Sequence, residues 1–174
     1  LIGEGRFKEA YNLIQKDMPF PGICGRVCHH PCETDCRRAE KDQPVAIEYL
    51  KRYAADWAFT HPEEFDENTA AYNFKGTDLA DKKIAIIGSG PVGLTVARDL
   101  AAYGAECEIF EALPVPGGMM NVGIPSHRLP KQVLEKEIND IVALPGIQLH
   151  LSSPVSLIAE AGHSDVTLKR LRHD

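Results

Sequence analysis

Four of the five cysteines in this 174-residue sequence lie within 13 residues of each other and form the first group that could do chemistry. They follow the spacing C-x3-C-x3-C-x3-C and are Cys24, Cys28, Cys32 and Cys36. Thiolates are soft ligands that hold iron–sulfur clusters or zinc. Spacing alone does not separate the two metals, and disulfide bonds are a third possibility in an oxidising compartment. The segment therefore predicts a metal centre, and a redox cofactor nearby would favour iron.

A glycine motif in the second half of the chain is the stronger signal. The run IAIIGSGPVGLTVARDLAAYGAECEIFEA starts at Ile84 and predicts a strand, a glycine turn, a helix and a second strand. Gly88 suits the tight turn, Gly90 lets the backbone approach a pyrophosphate, and Gly93 lets the helix pack closely on the sheet. Pro91 opens the helix, whose N-terminal N–H groups attract phosphate. Together these residues predict a dinucleotide site.

The residues after the motif bear on which dinucleotide binds. Glu111 lies 18 residues after Gly93, at the end of the second predicted strand, where a carboxylate can accept hydrogen bonds from ribose hydroxyls. FAD and NAD use nearly the same fold at this point, so the β-α-β unit alone does not decide between them. The next loop carries Gly118, Met119 and Arg128, which suit a flavin covered by a glycine-rich segment.

The elements around the two motifs differ in kind, which predicts two domains. Helical spacing of apolar residues predicts helices near 7–14 and 47–57. A run of helix-breaking residues at 18–22 predicts the start of a loop, and Pro31 predicts that the cysteines lie on that loop. A third helix is predicted over 131–144, with Glu135, Lys136 and Glu137 on its solvated face, followed by a strand over 147–151. The predicted division is an α-helical domain over 1–60, a linker over 61–81 and a nucleotide-binding domain over 82–174.

Composition and charge exclude several classes of protein. The formal net charge of −6 argues against a nucleic-acid binder, and a hydrophobic content of 44% argues against a disordered chain. No run approaches the roughly 18 consecutive apolar residues that a transmembrane helix needs, and the first residues show no secretion-signal pattern. We therefore expect no membrane insertion and a cytoplasmic location.

Four segments resemble one known family: ICGRVCHHPCETDC, PVAIEYLKRYAADWA, the glycine run and PGGMMNVGIPSHRLPK. The family is that of the small, NADPH-oxidising subunit of glutamate synthase, with the N-terminal part of dihydropyrimidine dehydrogenase among its relatives. The resemblance implies an α + α/β protein, with an N-terminal α-helical ferredoxin-like domain that holds 4Fe-4S clusters and then a partial Rossmann-type FAD-binding domain. It further implies that NAD(P)H reduces FAD in the complete enzyme and that electrons leave through the clusters.

The resemblance also assigns roles to individual residues. It implies that Glu111 is the carboxylate that binds the ribose. It implies that the pyrophosphate loop consists of Gly88, Ser89, Gly90, Pro91 and Gly93. Along the flavin it places Gly118, Met119 and Arg128. It divides the cysteines, because those matching Cys28 and Cys32 serve one cluster and that matching Cys36 serves another, while Cys24 need not bind iron. Lys51 stands where some relatives use Glu or Gln as a cluster ligand, and a protonated lysine has no lone pair to donate.

The sequence departs from the family pattern in what it lacks, namely an upstream cysteine motif, a second nucleotide-binding domain and the remainder of the FAD sheet. We therefore expect a fragment of a longer polypeptide or a short subunit completed by a partner. The leading hypothesis is a subunit or fragment that passes electrons between NAD(P)H-reduced FAD and 4Fe-4S clusters to a redox partner. The alternative is a non-catalytic cofactor-binding or docking module of a larger redox complex, and a zinc-bound scaffold is a third reading.

Overall fold

The chain forms two compact units. The computed structural model describes residues 1–65, 76–156 and 166–171. The first unit comprises Leu1–Tyr72 and Ser126–Val133, and the second comprises Asn73–Pro125 and Leu134–Asp174. The linker predicted at 61–81 falls partly on 66–75, outside the described residues, and its boundaries stay a prediction. No helix in the described ranges combines the length and the apolar character that crossing a bilayer would take.

The first unit is built of helices. Its described α-helices are α1 (Phe7–Asp17), α2 (Pro21–Val27), α3 (Pro31–Thr34) and α4 (Ile47–Thr60), and short 3-10 turns span Ile2–Glu4, Arg37–Glu40 and Pro62–Glu64. The predicted helices near 7–14 and 47–57 are thereby confirmed. The α4 helix ends before His61-Pro62, because a residue that precedes proline is pushed out of the helical region.

The prediction that the cysteines lie on a loop is wrong for two of them. Cys24 lies inside α2 and Cys32 inside α3, whereas Cys28 follows the last residue of α2 and Cys36 precedes a 3-10 turn. The cause is the position of the prolines, since each of these two helices has proline as its first residue. Proline has no N–H to lose there and its fixed φ suits a helix start. The prolines therefore begin short helices where the sequence pattern suggested only breaks.

A close crossing of α2 and α4 holds the cysteine segment on the helical unit. Gly25 of α2 lies so near Arg52 of α4 that a Cβ on Gly25 would stand 2.8 Å from the Cα of Arg52. The partly buried Arg26 reinforces the crossing, because its guanidinium pairs with Asp56 at 2.5 Å. On another part of α4, Ala55 and its neighbours form a small apolar core with α1. Its members are Tyr11, Ala55 and Ala58, with Trp57 and Phe65 packed against them.

The second unit contains a three-stranded parallel sheet. Its strands are β1 (Lys83–Ile87), β2 (Glu106–Phe110) and β3 (Ile147–His150), in that spatial order, and α5 (Pro91–Ala101) connects the first two. Cys107 is fully buried in β2 and pairs in register with Ile84 and Ile147, so its prediction as a small core residue is confirmed. The remaining described elements are α6 (Met119–Val122), α7 (Lys131–Val142), β4 (Val155–Ser156), β5 (Val166–Thr167) and α8 (Leu168–Leu171).

The predicted β-α-β unit is confirmed, and one surface assignment is wrong. Glu135 and Lys136 are exposed on α7, but Glu137 is only 2% exposed. Position 137 falls on the helix stripe that also contains the buried Leu134 and Ile138. A side chain at a core-facing position of a helix points toward the core even when it is charged, so the Glu137 carboxylate is buried.

We predict that Gly25→Ala destabilises the helical unit. An alanine gains about 1 kcal/mol over glycine in helix propensity, but its methyl group would overlap the α4 backbone, and such overpacking costs roughly 1–3 kcal/mol or more. The cost of the overlap should therefore exceed the gain in helix propensity, and we expect a net loss of up to about 2 kcal/mol in the free energy of unfolding. Urea unfolding measures it. Gly3→Ala is the control, since nothing lies within 4 Å of a Cβ there; equal midpoints for the two variants would contradict the close crossing.

Candidate functional site

The glycine turn after β1 is shaped by two glycines with different tasks. Gly88 has φ +95°, a backbone conformation that other residues rarely adopt. Gly93 lies one helical turn into α5, and a Cβ there would stand 2.0 Å from the carbonyl oxygen of Gly88. The first glycine lets the chain turn, and the second lets the helix start against the end of the strand.

The middle glycine of the motif, Gly90, has open space where a side chain would stand. Apart from the chain neighbours of Gly90, no described residue has an atom within 4 Å of the position that a Cβ on Gly90 would take. Gly90 is also the N-cap of α5, and its carbonyl accepts the N–H of Leu94 at 3.0 Å. The next two residues, Pro91 and Val92, are exposed, so the positive end of the helix dipole faces this open space. An anionic group would be stabilised there by the helix N-terminus.

A second glycine loop lies against the first. The N–H of Gly117 donates to the carbonyl oxygen of Ser89 at 3.0 Å and lies 3.3 Å from its hydroxyl. A Cβ on Gly118, which has φ +50°, would stand 3.0 Å from the Cα of Gly90. Met119 then begins α6 with its side chain 71% exposed. The structure thus brings Gly118 next to Gly90, with Met119 exposed to solvent.

Glu111 is held at the end of β2 by donors from the glycine turn. Its carboxylate is buried, and one oxygen accepts both the N–H of Ser89 at 2.8 Å and the Ser89 hydroxyl at 2.6 Å. The other oxygen accepts the N–H of Leu113 at 2.9 Å. Burial by itself would raise the pKa of Glu111, but hydrogen bonds from Ser89 and from backbone N–H groups after the strand outweigh it and hold the pKa below its ordinary value. The carboxylate is therefore ionised and oriented.

This arrangement fits a dinucleotide. The space over Gly90 is free and lies at a helix N-terminus, and the ionised carboxylate of Glu111 stands at the end of β2, hydrogen-bonded to the same glycine turn. FAD, when bound, supplies the electron chemistry. The contacts of individual residues with it stay predictions. Arg128 is exposed and belongs to the segment Ser126–Val133 of the helical unit, so its predicted place along the flavin is untested.

The cysteines carry backbone donors directed at their sulfur atoms. The Sγ of Cys28 accepts the N–H of His30 at 3.3 Å. The N–H groups of Val45 and Arg38 donate to Cys36 and hold the pKa of its thiol below the ordinary value. Beside Cys36 lies a cavity of about 580 Å³, lined by Arg38, Asp42, Gln43, Pro44 and Val45. Sulfur atoms that accept N–H hydrogen bonds are typical of iron–sulfur ligands.

The four cysteines do not form one metal site by themselves. All of them are free thiols, and the described residues contain no group of three or more metal-binding side chains arranged around one point. The donor chemistry of the cysteine segment fits iron–sulfur clusters. Lys51 is 9% exposed on α4, and no hydrogen bond to its side chain is formed within the described ranges.

Three contacts of the site were absent from the sequence-based prediction. Ser89 was assigned to the loop only, although its hydroxyl orients Glu111. The hydrogen bonds from Gly117 to Ser89 and from Val45 to Cys36 were also missed. A small polar residue between two motif glycines could have signalled the first contact. The other two hydrogen bonds join residues that are not neighbours in sequence, so no local sequence pattern predicts them.

Comparison with known proteins gives matches to both halves of the chain. Residues 1–63 match the family described as dihydropyrimidine dehydrogenase domain II, 4Fe-4S cluster, and residues 86–135 match the NAD(P)-binding Rossmann-like domain family. The NADP(+)-dependent formate dehydrogenase subunit beta of Moorella thermoacetica is 40% identical over 193 residues, which cover 99% of this chain and 25% of that protein.

Two further relatives have related names. The NADPH-Fe(3+) oxidoreductase subunit beta of Geobacter sulfurreducens is 40% identical over 173 residues, covering 98% of this chain and 24% of that protein. The small chain of NADPH glutamate synthase from Bacillus subtilis is 36% identical over 138 residues, covering 79% of this chain and 27% of that protein. The chain thus spans about a quarter of the length of these relatives.

We predict that Glu111→Gln changes how stability depends on pH. The folded-state pKa of Glu111 lies below its ordinary value of 4.5, so the stabilisation by its ionised form is complete above that value and is lost as the pH falls through the folded-state pKa. Near pH 7 the variant should lose about 1–3 kcal/mol in the free energy of unfolding, because a donor of Ser89 or Leu113 loses a charged acceptor.

Urea unfolding of the wild type and Glu111→Gln, from about pH 7 down to about pH 3, measures this difference. It should be largest at neutral pH and shrink below the ordinary value of the Glu111 pKa. Glu135→Gln on the exposed side of α7 is the control. A Glu111→Gln difference that stays constant with pH would contradict the ionised, hydrogen-bonded carboxylate.

Proposed function

Because the chain belongs to the glutamate synthase small-subunit family of iron–sulfur flavoprotein oxidoreductases, we propose that it carries FAD and 4Fe-4S clusters in an NAD(P)H-dependent oxidoreductase. The complete protein would take reducing equivalents from NAD(P)H through FAD and pass electrons through the clusters to a redox partner. The observation that carries the proposal is the pair of sites on one chain, a dinucleotide loop with open space over Gly90 and a cysteine segment with N–H donors at sulfur.

In the nucleotide-binding unit, the residues hold the cofactor rather than perform acid–base chemistry. The turn at Gly88 and Gly90 and the N-terminus of α5 receive the pyrophosphate. Glu111 accepts a hydrogen bond from the adenosine ribose, and Gly118 and Met119 lie along the flavin side, with Arg128 as a further flavin contact. Both glycine loops are joined through Ser89, so the pyrophosphate and flavin ends of the site are positioned together.

In the helical unit, Cys28 and Cys32 bind one cluster and Cys36 binds another, while Cys24 inside α2 is the cysteine least needed for iron. The N–H donors at Cys28 and Cys36 support this proposal. Such donors stabilise the charge on a thiolate and set the reduction potential of a cluster.

Partner subunits belong to the same proposal. Two of the relatives are named as beta subunits, which supports an electron acceptor on another chain. The acceptor is a redox protein or the remainder of the full-length polypeptide. The cytoplasmic location predicted from the sequence belongs to the same proposal, because cysteine thiolates that bind clusters persist in a reducing compartment.

An anaerobic visible absorption spectrum of the full-length protein tests the proposed function. We expect flavin bands over a broad iron–sulfur shoulder, and bleaching of both when NADPH or NADH is added. Bleaching by dithionite alone would favour the non-catalytic docking module. Zinc in place of iron and sulfide on elemental analysis would contradict the electron path.

We predict that Gly90→Val removes FAD while the fold is retained. Gly90 has φ −70° and open space at the Cβ position, so the protein can accommodate the Cβ of valine, but the side chain would fill the space proposed for the pyrophosphate. Flavin content per chain should fall by about tenfold or more, equivalent to at least about 1.4 kcal/mol of binding free energy.

Far-UV circular dichroism and iron content are the controls for Gly90→Val, and both should match the wild type. Gly93→Ala is the contrasting variant, since its Cβ would stand 2.0 Å from the carbonyl oxygen of Gly88 and should disturb the fold as well as flavin binding. Full flavin content in Gly90→Val would contradict the assignment of the pyrophosphate loop.

A further inference from the structure

His30 has a backbone conformation that its side chain makes unfavourable. Its φ is +40° and its ψ +54°, in the left-handed region that favours glycine. It lies between Cys28 and Cys32 and directly precedes Pro31, the first residue of α3. A non-glycine residue persists in this conformation only where surrounding contacts hold it. The contacts of His30 therefore indicate why the chain keeps this conformation.

The imidazole ring of His30 lies between two carboxylates from different helices. Its Nδ1 lies 3.4 Å from an oxygen of Glu33 in α3, and its Nε2 lies 3.4 Å from an oxygen of Glu48 in α4. The two glutamate side chains are 15% and 14% exposed. The other oxygen of Glu33 accepts the N–H of Glu48 at 2.8 Å. The His30 side chain is 45% exposed, and its ring thus lies against the first turn of α4 on one side and against α3 on the other.

The backbone of His30 uses the same conformation to make two further hydrogen bonds. Its N–H donates to the Sγ of Cys28 at 3.3 Å, and its carbonyl accepts the N–H of Glu33 at 2.9 Å. One residue therefore joins the sulfur of Cys28, the start of α3 and the start of α4. Any change that lets the backbone leave the left-handed region redirects the N–H that points at the sulfur.

We infer that His30 is a positioning residue for the iron–sulfur cluster of Cys28 and Cys32, acting through the clasp that its ring forms with Glu33 and Glu48. The inference rests on the proposed function, in which these two cysteines bind iron. The clasp holds the backbone N–H on the Cys28 sulfur and fixes the turn that separates the two ligands. Partners behind the direct ligands orient them and tune a metal centre in this way.

The chain supplies a matched control in the neighbouring His29. Its side chain is exposed, and none of the contacts described for His30 involves it. The informative variants are His30→Asn, which tolerates the left-handed backbone but cannot bridge both carboxylates, and His30→Ala, which loses both properties. Glu48→Gln keeps the size of the carboxylate partner and removes its charge.

The experiment measures two properties of the full-length protein purified anaerobically with its native clusters: the rate of iron release to a chelator and the reduction potential of each cluster. In His30→Ala we expect iron release about tenfold faster, the scale on which outer-shell partners of metal ligands act. The potential of one cluster should become more negative, because its sulfur loses an N–H donor. The other cluster should keep its potential, and His29→Asn should match the wild type in both measurements.

The smaller changes separate a positioning role from a structural one. His30→Asn and Glu48→Gln should shift the same potential in the same direction, by less than His30→Ala, at an unchanged melting temperature. Wild-type potentials and iron release in both His30 variants would overturn the inference. So would a loss of iron that occurs only together with a fall in melting temperature. A wild-type protein without iron would refute the proposed function itself.

Discussion

The nucleotide-binding unit depends on the hydrogen bonds between Ser89 and Glu111. They join the turn after β1 to the end of β2, and the Ser89 carbonyl extends the connection to Gly117 in the second loop. A buried carboxylate without such donors would cost several kcal/mol, because it loses its water without compensation. With them the charge is stabilised, so the position of Glu111 and the shape of both loops are set by one interaction.

The same physical device appears in the helical unit with sulfur as the acceptor. Backbone N–H groups point at Cys28 and at Cys36, as they point at Glu111 and, from the start of α5, into the space over Gly90. Backbone donors are fixed by the fold and need no side-chain ordering when an anionic group binds. Both units therefore offer preorganised N–H groups to anions, which under the proposed function are a pyrophosphate in one unit and thiolate-bound clusters in the other.

The sequence predicted the elements whose causes are local. The β-α-β unit follows from a β-branched run, a glycine turn and an amphipathic helix, and each of these signals lies within a few residues of its effect. The starts of α2 and α3 at prolines were missed because proline reads as a break unless the next turn is known to be helical. The burial of Glu137 follows from its position on the apolar stripe of α7, which outweighs the exposure that its charge predicts. The contact of Val45 with Cys36 depends on tertiary packing, which composition and spacing do not encode.

The glycines fall into two groups: some are required by the fold itself, and one is explained only by a bound ligand. Gly25 and Gly93 have no room for a Cβ, and Gly88 needs a positive φ, so the folded chain itself demands glycine at these positions. At Gly90 neither reason holds, since its φ is −70° and its Cβ position is empty. A larger residue there would even reduce the entropy lost on folding. What Gly90 preserves is space beside a helix N-terminus, and that space has a use only if another molecule enters it.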